Sequence, residues 1–251
     1  KVLFRKGDIP EVTIEVSSNR LVLSPLLLDA EVETVEEPEF EDGRLIPDIA
    51  IPFEAMKSVD VLLTADIGEF QRDSLLLLDI AVEAHLRDGT LDVPRAYLKA
   101  RSGELLARGS LGPGEGQGEA SLQVVARDFA PGLTNANFDL AMTSDVDLDL
   151  WSTGADLRAL AGNLEGIVYI DTRGGRIEVN EMFEAIFGNM LEEMLDTINP
   201  IRDEDPYSDF ECMIVPLSIA DGQVKGAPNI FISTEKVRLV TQGSINLKTE
   251  E

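Results

Sequence analysis

The stretch VDLDLWSTGADLRALAGNLEGIVYIDTRGGRI, Val146 to Ile177, decides how the chain is read: a strand with Asp on one face, one short helix, then a strand ending at two glycines. Thr153 is placed to cap the helix, with Asp156 able to reach back. Leu157, Leu160 and Leu164 then fall on one side before Gly162 and Asn163 permit a stop. The helix is therefore short and one-sided. After it, Ile167, Tyr169 and Asp171 alternate with Val168, Ile170 and Thr172, the period of a strand, and Arg173-Gly174-Gly175-Arg176 predicts a turn that closes it.

The same alternation runs outward from this stretch. From Val59 to Ile67 every odd position is apolar while Asp60, Thr64 and Asp66 take the other side, as in a strand with one dry face. Leu76, Leu78, Ile80, Val82, Ala84 and Leu86 share a face opposite Asp79, Glu83, His85 and Arg87, and the strand runs into the hairpin signal Asp88-Gly89. Leu91 and Val93, then Ala96, Leu98 and Ala100, continue the meander across Pro94, which cannot donate to a ladder and so belongs at an edge, a bulge or a break. Ser102-Gly103 predicts the next turn. Gly109, Gly112, Gly114, Gly116 and Gly118, with Pro113, predict a flexible hairpin tip. A ligand-cradling loop is the alternative, but it fails the phosphate-loop test: no Lys-Ser or Lys-Thr follows these glycines, no helix pattern starts after them, and Leu122, Val124 and Ala126 alternate as another strand.

The turn-plus-apolar pattern of Asp42-Gly43-Arg44-Leu45 and Asp88-Gly89-Thr90-Leu91, echoed by Asp221-Gly222-Gln223-Val224, makes a weak internal repeat of hairpins without a fixed period. A second helix is predicted from its N-cap at Asn180: Met182, Phe183, Ile186, Phe187, Met190, Leu191, Met194, Leu195 and Ile198 follow helical spacing until Asn199-Pro200. Its polar face holds Glu181, Glu184, Glu192, Glu193 and Asp196 with no Lys or Arg, the wrong sign for lying on an anionic membrane, so the stripe is expected to pack on the sheet. Flexible Met and Phe side chains there also suit a lipid-accommodating surface.

With 251 residues and 44% hydrophobic content, the chain can bury one large β domain or two smaller ones. The 21 basic against 47 acidic residues give a net charge of −26, which repels phosphate backbones and excludes nucleic acid as a partner. The single cysteine, Cys212, allows no internal disulfide and no multi-cysteine metal site; it lies in a strand-like run and reads as a buried thiol, far in sequence from the one histidine, His85. The opening Lys1-Val2-Leu3-Phe4 lacks a start methionine, a signal sequence or a membrane-spanning run, so the segment reads as part of a longer parent.

Few constellations offer chemistry. Asp145, Asp147 and Asp149 point the same way on a strand, but Leu150 and Asp156 stand where a calcium loop needs Gly and Glu, so they read as a solvated face. His85 shares the polar side of its strand with Asp79 and Glu83, without a nucleophile, an oxyanion loop or metal-ligand spacing. The expectation is a non-enzymatic protein with no catalytic residue, no metal and no cofactor.

In the order of its elements and glycines, the Val146 to Ile177 stretch resembles the C-terminal region of the AsmA family. The tail is similar to the family's closing pattern: FECMIVPLSI from Phe210 to Ile219, Asp221-Gly222, a strand through Ile230 and Ile232, Val237-Arg238-Leu239, Gly243 and Ile245-Asn246-Leu247. Ile46-Pro47-Asp48-Ile49-Ala50-Ile51-Pro52, followed by Val59 to Leu63 and Asp88 to Leu91, resembles the preceding family repeat. The acidic run Arg202 to Asp209 and the strong negative charge depart from the pattern. The resemblance implies a periplasmic β-rich body, tethered to the inner membrane by an anchor outside this segment, serving outer-membrane assembly and lipid transport between the membranes. It divides the chain into a β-sheet region at 1–145 and an AsmA-like region at 146–251, together one continuous fold.

The expected fold is mainly β: a long antiparallel meander curled into an open trough, with one short and one long amphipathic helix near the C-terminal part. A sheet with one dry face must cover it with a second layer, helices or ligand. Both helices fall short of that, which leaves an apolar strip for phospholipid acyl chains, with Leu63, Ile67, Leu78, Ile80, Val82, Phe183 and Phe187 as candidate lining. The rival expectation is a closed sandwich serving as a protein-interaction scaffold for other envelope proteins, through its acidic surface or an edge strand.

Overall fold

The computed structural model describes residues 1–23, 46–72, 75–130, 134–135, 138–139, 142–178, 207–225 and 230–250. Most of them are strand. In chain order these are β1 Val2–Arg5, β2 Glu11–Ser18, β3 Leu21–Val22, β4 Asp60–Arg72, β5 Leu75–Arg87, β6 Thr90–Lys99, β7 Ser102–Pro113, β8 Gly118–Ala130, β9 Thr134–Asn135 and β10 Phe138–Asp139. There follow β11 Thr143–Gly154, β12 Glu165–Arg173, β13 Arg176–Glu178, β14 Tyr207–Ala220, β15 Gln223–Lys225, β16 Ile230–Thr234, β17 Arg238–Thr241 and β18 Ile245–Asn246. Two short helices join them, α1 Phe53–Met56 and α2 Leu157–Gly162. No helix among the described residues is long and apolar enough to cross a membrane. The amphipathic helix expected from Asn180 to Ile198, the Asp42-Gly43 turn and the acidic run ending near Asp209 lie outside the described residues, apart from the last few positions of that run in β14.

All the strands belong to one open, mostly antiparallel sheet. From one edge the pairing runs β1 to β2, then β4, β5, β6, β7 and β8. From β8 it passes to β11, β12, β14, β16 and β17. Only β2 and β3 run parallel to their neighbour, β4. A parallel pair cannot be joined by a tight turn. The chain between β3 and β4 makes that crossover, and its second half, residues 46–58, carries α1. The proposed division at residue 145 falls inside β11, which pairs with β8 from Ser144 to Gly154, so the sheet is continuous there.

The two-residue turns are built as their sequences require. Asp88 and Gly89 take φ of 50° and 78°, and Asp221 and Gly222 take 51° and 69°, the left-handed pair that matches the twist of a tight hairpin. Pro94 falls where the β6/β7 register shifts between Val93 and Ala96, a bulge that spares the ladder its missing N–H.

Several local expectations are corrected. The α2 N-cap is Asp156, not Thr153: its carboxylate accepts from Ala159 N at 2.6 Å. The glycine-rich hairpin tip is short, because β7 runs through Pro113 and β8 starts at Gly118, leaving Gly109 and Gly112 inside a strand. A Cβ on Gly109 would stand 2.6 Å from Ser121 O, so that glycine serves close backbone approach rather than looseness. The turn expected at Ser102-Gly103 comes earlier, at Ala100-Arg101; Gly103, with φ of 71°, forms a bulge. Gly174-Gly175 does not reverse the chain. β12 and β13 pair with β14 in the same register on either side of it, so the glycines bend one long strand. Asp79, with φ of 47°, sits in another bulge, between Leu78 and Ala81, which shifts the register with β6 while the register with β4 runs on through the even-numbered residues.

The buried apolar side chains are few. Phe210 and Ile232 form the one buried cluster among the described residues, packed by Met142, Met213, Ile230 and Leu239. Most long strands present half-buried rather than buried apolar residues, and Cys212, expected to be buried, is half-buried too. Gly166 is buried with φ of 134°, and a Cβ there would strike Asp149 O. Gly166→Ala should therefore lose stability on the order of 1–3 kcal/mol in urea unfolding. Gly243→Ala, at an exposed position with open space for a Cβ, should change it by about 0.5 kcal/mol or less.

A one-sided apolar face as the candidate functional site

Cross-strand partners in a sheet lie on the same side, so the register assigns every residue a face. On β4 and β5 the pairs Val61–Leu86, Leu63–Ala84, Ala65–Val82 and Ile67–Ile80 make one side wholly apolar. Through Val82–Ala96, Ala96–Ala107 and Ala107–Val124 that side passes from β5 to β8. Val124–Leu148, Leu148–Val168 and Val168–Leu217 carry it to β14. Met213–Ile232 and Ile232–Leu239 take it to β17. In the other direction, Ile14–Leu63 and Val2–Ile14 extend it to the β1 edge. One apolar surface thus crosses the sheet from edge to edge.

The opposite side is polar and paired locally. Arg127 Nη2 donates to Asp147 Oδ1 at 2.6 Å, Gln123 Nε2 to Asp149 Oδ1 at 2.9 Å, and the Asp128 backbone N–H to Asp145 Oδ1 at 2.9 Å. The Asp147 hydrogen bond holds the Arg127 guanidinium above its ordinary range, and the Asp171 hydrogen bond does the same for Arg173. His85 Nε2 lies 2.9 Å from Glu83 Oε1 on this exposed side. Apolar residues stand here as well, among them Leu106 at 45% exposure and Ile167 at 54%, set among these charges.

At one end of the strands the apolar face is crossed by the segment Ile46 to Lys57. Arg158 donates from Nε and Nη2 to Ile46 O at 3.1 and 3.0 Å, Leu157 N to Ile49 O at 3.1 Å, and Ile51 N to Ala155 O at 3.0 Å. This ties the segment to α2, which in turn sits on β11: Ser152 Oγ donates to Leu160 O at 2.5 Å, and a Cβ on Gly154 would stand 2.8 Å from Ala159 Cβ. The neighbouring glycine of the register pair, Gly118, is covered by the Phe53 ring. Beside α2 lies an open polar cleft of about 350 Å³ lined by Asp48, Asp156, Arg158, Asn163 and Lys248. Its Asp156 and Arg158 are committed to the helix cap and to the Ile46 carbonyl.

Of the residues expected to line a lipid site, Leu63, Ile67, Ile80 and Val82 fall together on the apolar face. Leu78 keeps the β4 register, opposite Glu69, but lies across the Asp79 bulge in the register with β6, where it faces Lys99. Phe183 and Phe187 lie outside the described residues. Sequence reasoning missed Phe53 and the glycine pair beneath it and α2. The available signal was the recurrence of glycine where β8 starts and β11 ends.

No family model matches the chain, and no curated protein and no solved structure matches it.

Among the described residues no three acidic, His or Cys side chains are arranged to hold a metal ion. The carboxylates of Asp145, Asp147 and Asp149 each have a separate hydrogen-bond donor. Millimolar calcium is accordingly expected to leave the melting temperature where EDTA leaves it; a calcium-dependent rise would show that the three aspartates gather an ion.

Proposed function

We propose that this protein is an AsmA-like envelope protein, non-enzymatic, whose open sheet curls into a trough and holds phospholipid acyl chains on their way between the inner and outer membranes, in support of outer-membrane assembly. In this reading it stands in the periplasm, tethered to the inner membrane by an anchor outside this segment. The supporting observation is the unbroken apolar register from β1 to β17, most of it half-exposed and with few buried side chains beneath it. Such a surface in water is costly, and each methylene laid against it gains about 0.8 kcal/mol. Bulges near Asp79, Pro94 and Gly103 increase local twist and bend, the means by which a sheet curls.

A second reading draws on the edge. In β1, Val2, Leu3 and Phe4 are 67%, 50% and 67% exposed, and the outer side of that strand could take a strand from another envelope protein, making the domain a scaffold for outer-membrane biogenesis.

Native mass spectrometry of gently purified protein, with extraction and identification of whatever dissociates, tests the first reading. Phospholipid in stoichiometric amount is expected; reproducibly empty protein would overturn it and favour the scaffold. In the lipid-bearing protein, Ile80→Asp with Val82→Asp should abolish lipid content while circular dichroism stays unchanged. Leu106→Asp, on the opposite face, should leave it intact. Equal lipid content in all three proteins would sink the assignment of the face.

A further inference from the structure

We infer that Phe53, backed by α2, is an end wall of the apolar trough, and that it limits the length of acyl chain the trough accepts. The inference rests on the acyl-holding reading and adds a direction to it: the methyl end of the chain points toward Phe53.

The argument begins with two glycines. Gly118 and Gly154 are register partners on the apolar side of β8 and β11, and both are buried. Neither position leaves room for a side chain. The Phe53 ring occupies the space over Gly118, and the backbone of α2 at Leu160 stands 2.5 Å from where a Cβ of Gly154 would be. The sheet is therefore bare at this end so that the crossing segment can lie flat on it. Beyond the wall, past Ala120 and Ser152, the same face carries Leu122, Val124, Leu148 and Leu150, with Gly109 and Gly166 as the cross-strand neighbours of Leu122 and Leu150.

The covering stops abruptly. Four residues along β8 on the same side, Leu122 is 43% exposed, and its β11 partner Leu150 is half-buried. Apolar surface thus starts next to the wall at Leu122 and continues through half-buried Val124; Ala126 beyond it is buried, and from Val124 the face spreads across the strands through Ala107 and Leu148. The wall is held by fixed contacts. The carbonyls of Ile46 and Ile49 and the N–H of Ile51 are bound to the α2 region, α1 follows directly, and Met56 N donates to Pro52 O at 3.0 Å. An acyl chain sliding along the face meets an aromatic ring that is packed on glycine and has nowhere to retreat.

A stop of this kind has a signature in chain length. Affinity rises about fourfold per methylene while each added methylene still finds apolar surface, and flattens once the chain abuts the wall. The probe is a series of single-chain lysophosphatidylcholines of increasing length, with binding to the intact protein read by native mass spectrometry. In the wild type a plateau is expected. Phe53→Ala should move that plateau to longer chains without changing affinity for the shortest. Leu122→Trp, at an exposed position beside the wall where added bulk is tolerated, should move it to shorter ones. An unshifted plateau in both variants, with binding retained, overturns the end wall and leaves the acyl-holding face standing. Absence of binding in the wild type at every length overturns both.

Discussion

Everything in this sheet depends on cross-strand partners sharing a side. A slip of one residue at any joint would turn the next strand over and put its leucines among the carboxylates. Across the joints from β1 to β17 the apolar positions nonetheless meet apolar positions. The bulges make this possible. On β6 the apolar spacing lengthens from two to three between Val93 and Ala96, and the register shifts at that very place, so the extra residue is absorbed and the face is kept.

The constraint also explains where the charge goes. A chain of net charge −26 cannot scatter its acids through a sheet without placing like charges opposite one another. Here the polar side interleaves acids with donors from the next strand, as Arg127 beside Asp147 and Lys99 beside Asp79. These exposed pairs contribute little individually. What they do is keep one face wet, which leaves the continuous apolar surface to the other.

At one end the constraint is set aside. Gly118 and Gly154 have no side chains to assign to either face, and the bare patch they leave is where the crossing segment and α2 rest. The parallel joint between β2 and β4 requires a long crossover, and the fold uses the later part of that crossover for this covering. Topology and end wall are thus one solution to two demands.

Strand alternation, Asp-Gly hairpins and the break at Pro94 were legible in the sequence, because period-two burial and left-handed turns restrict residue choice locally. So was the common face of Leu63, Ile67, Ile80 and Val82. For Leu78 the bulge itself was not legible, since the run Leu75-Leu76-Leu77-Leu78 is apolar at every position and carries no phase from which the shift against β6 at Asp79 could be read. Gly174-Gly175 read as a turn, since glycine permits both a reversal and a bend; only the pairing of β12 and β13 with the same strand, β14, selects the bend. Asp156 displaced Thr153 as helix cap because the strand β11 holds Thr153 in its ladder opposite Glu119. The sequence by itself determined that this protein is a one-faced β-sheet; tertiary structure alone decided that the sheet stays open and that Phe53 closes one end of its face. The reason is that alternation is a property of neighbours along the chain, whereas edges and crossings depend on residues far apart in it.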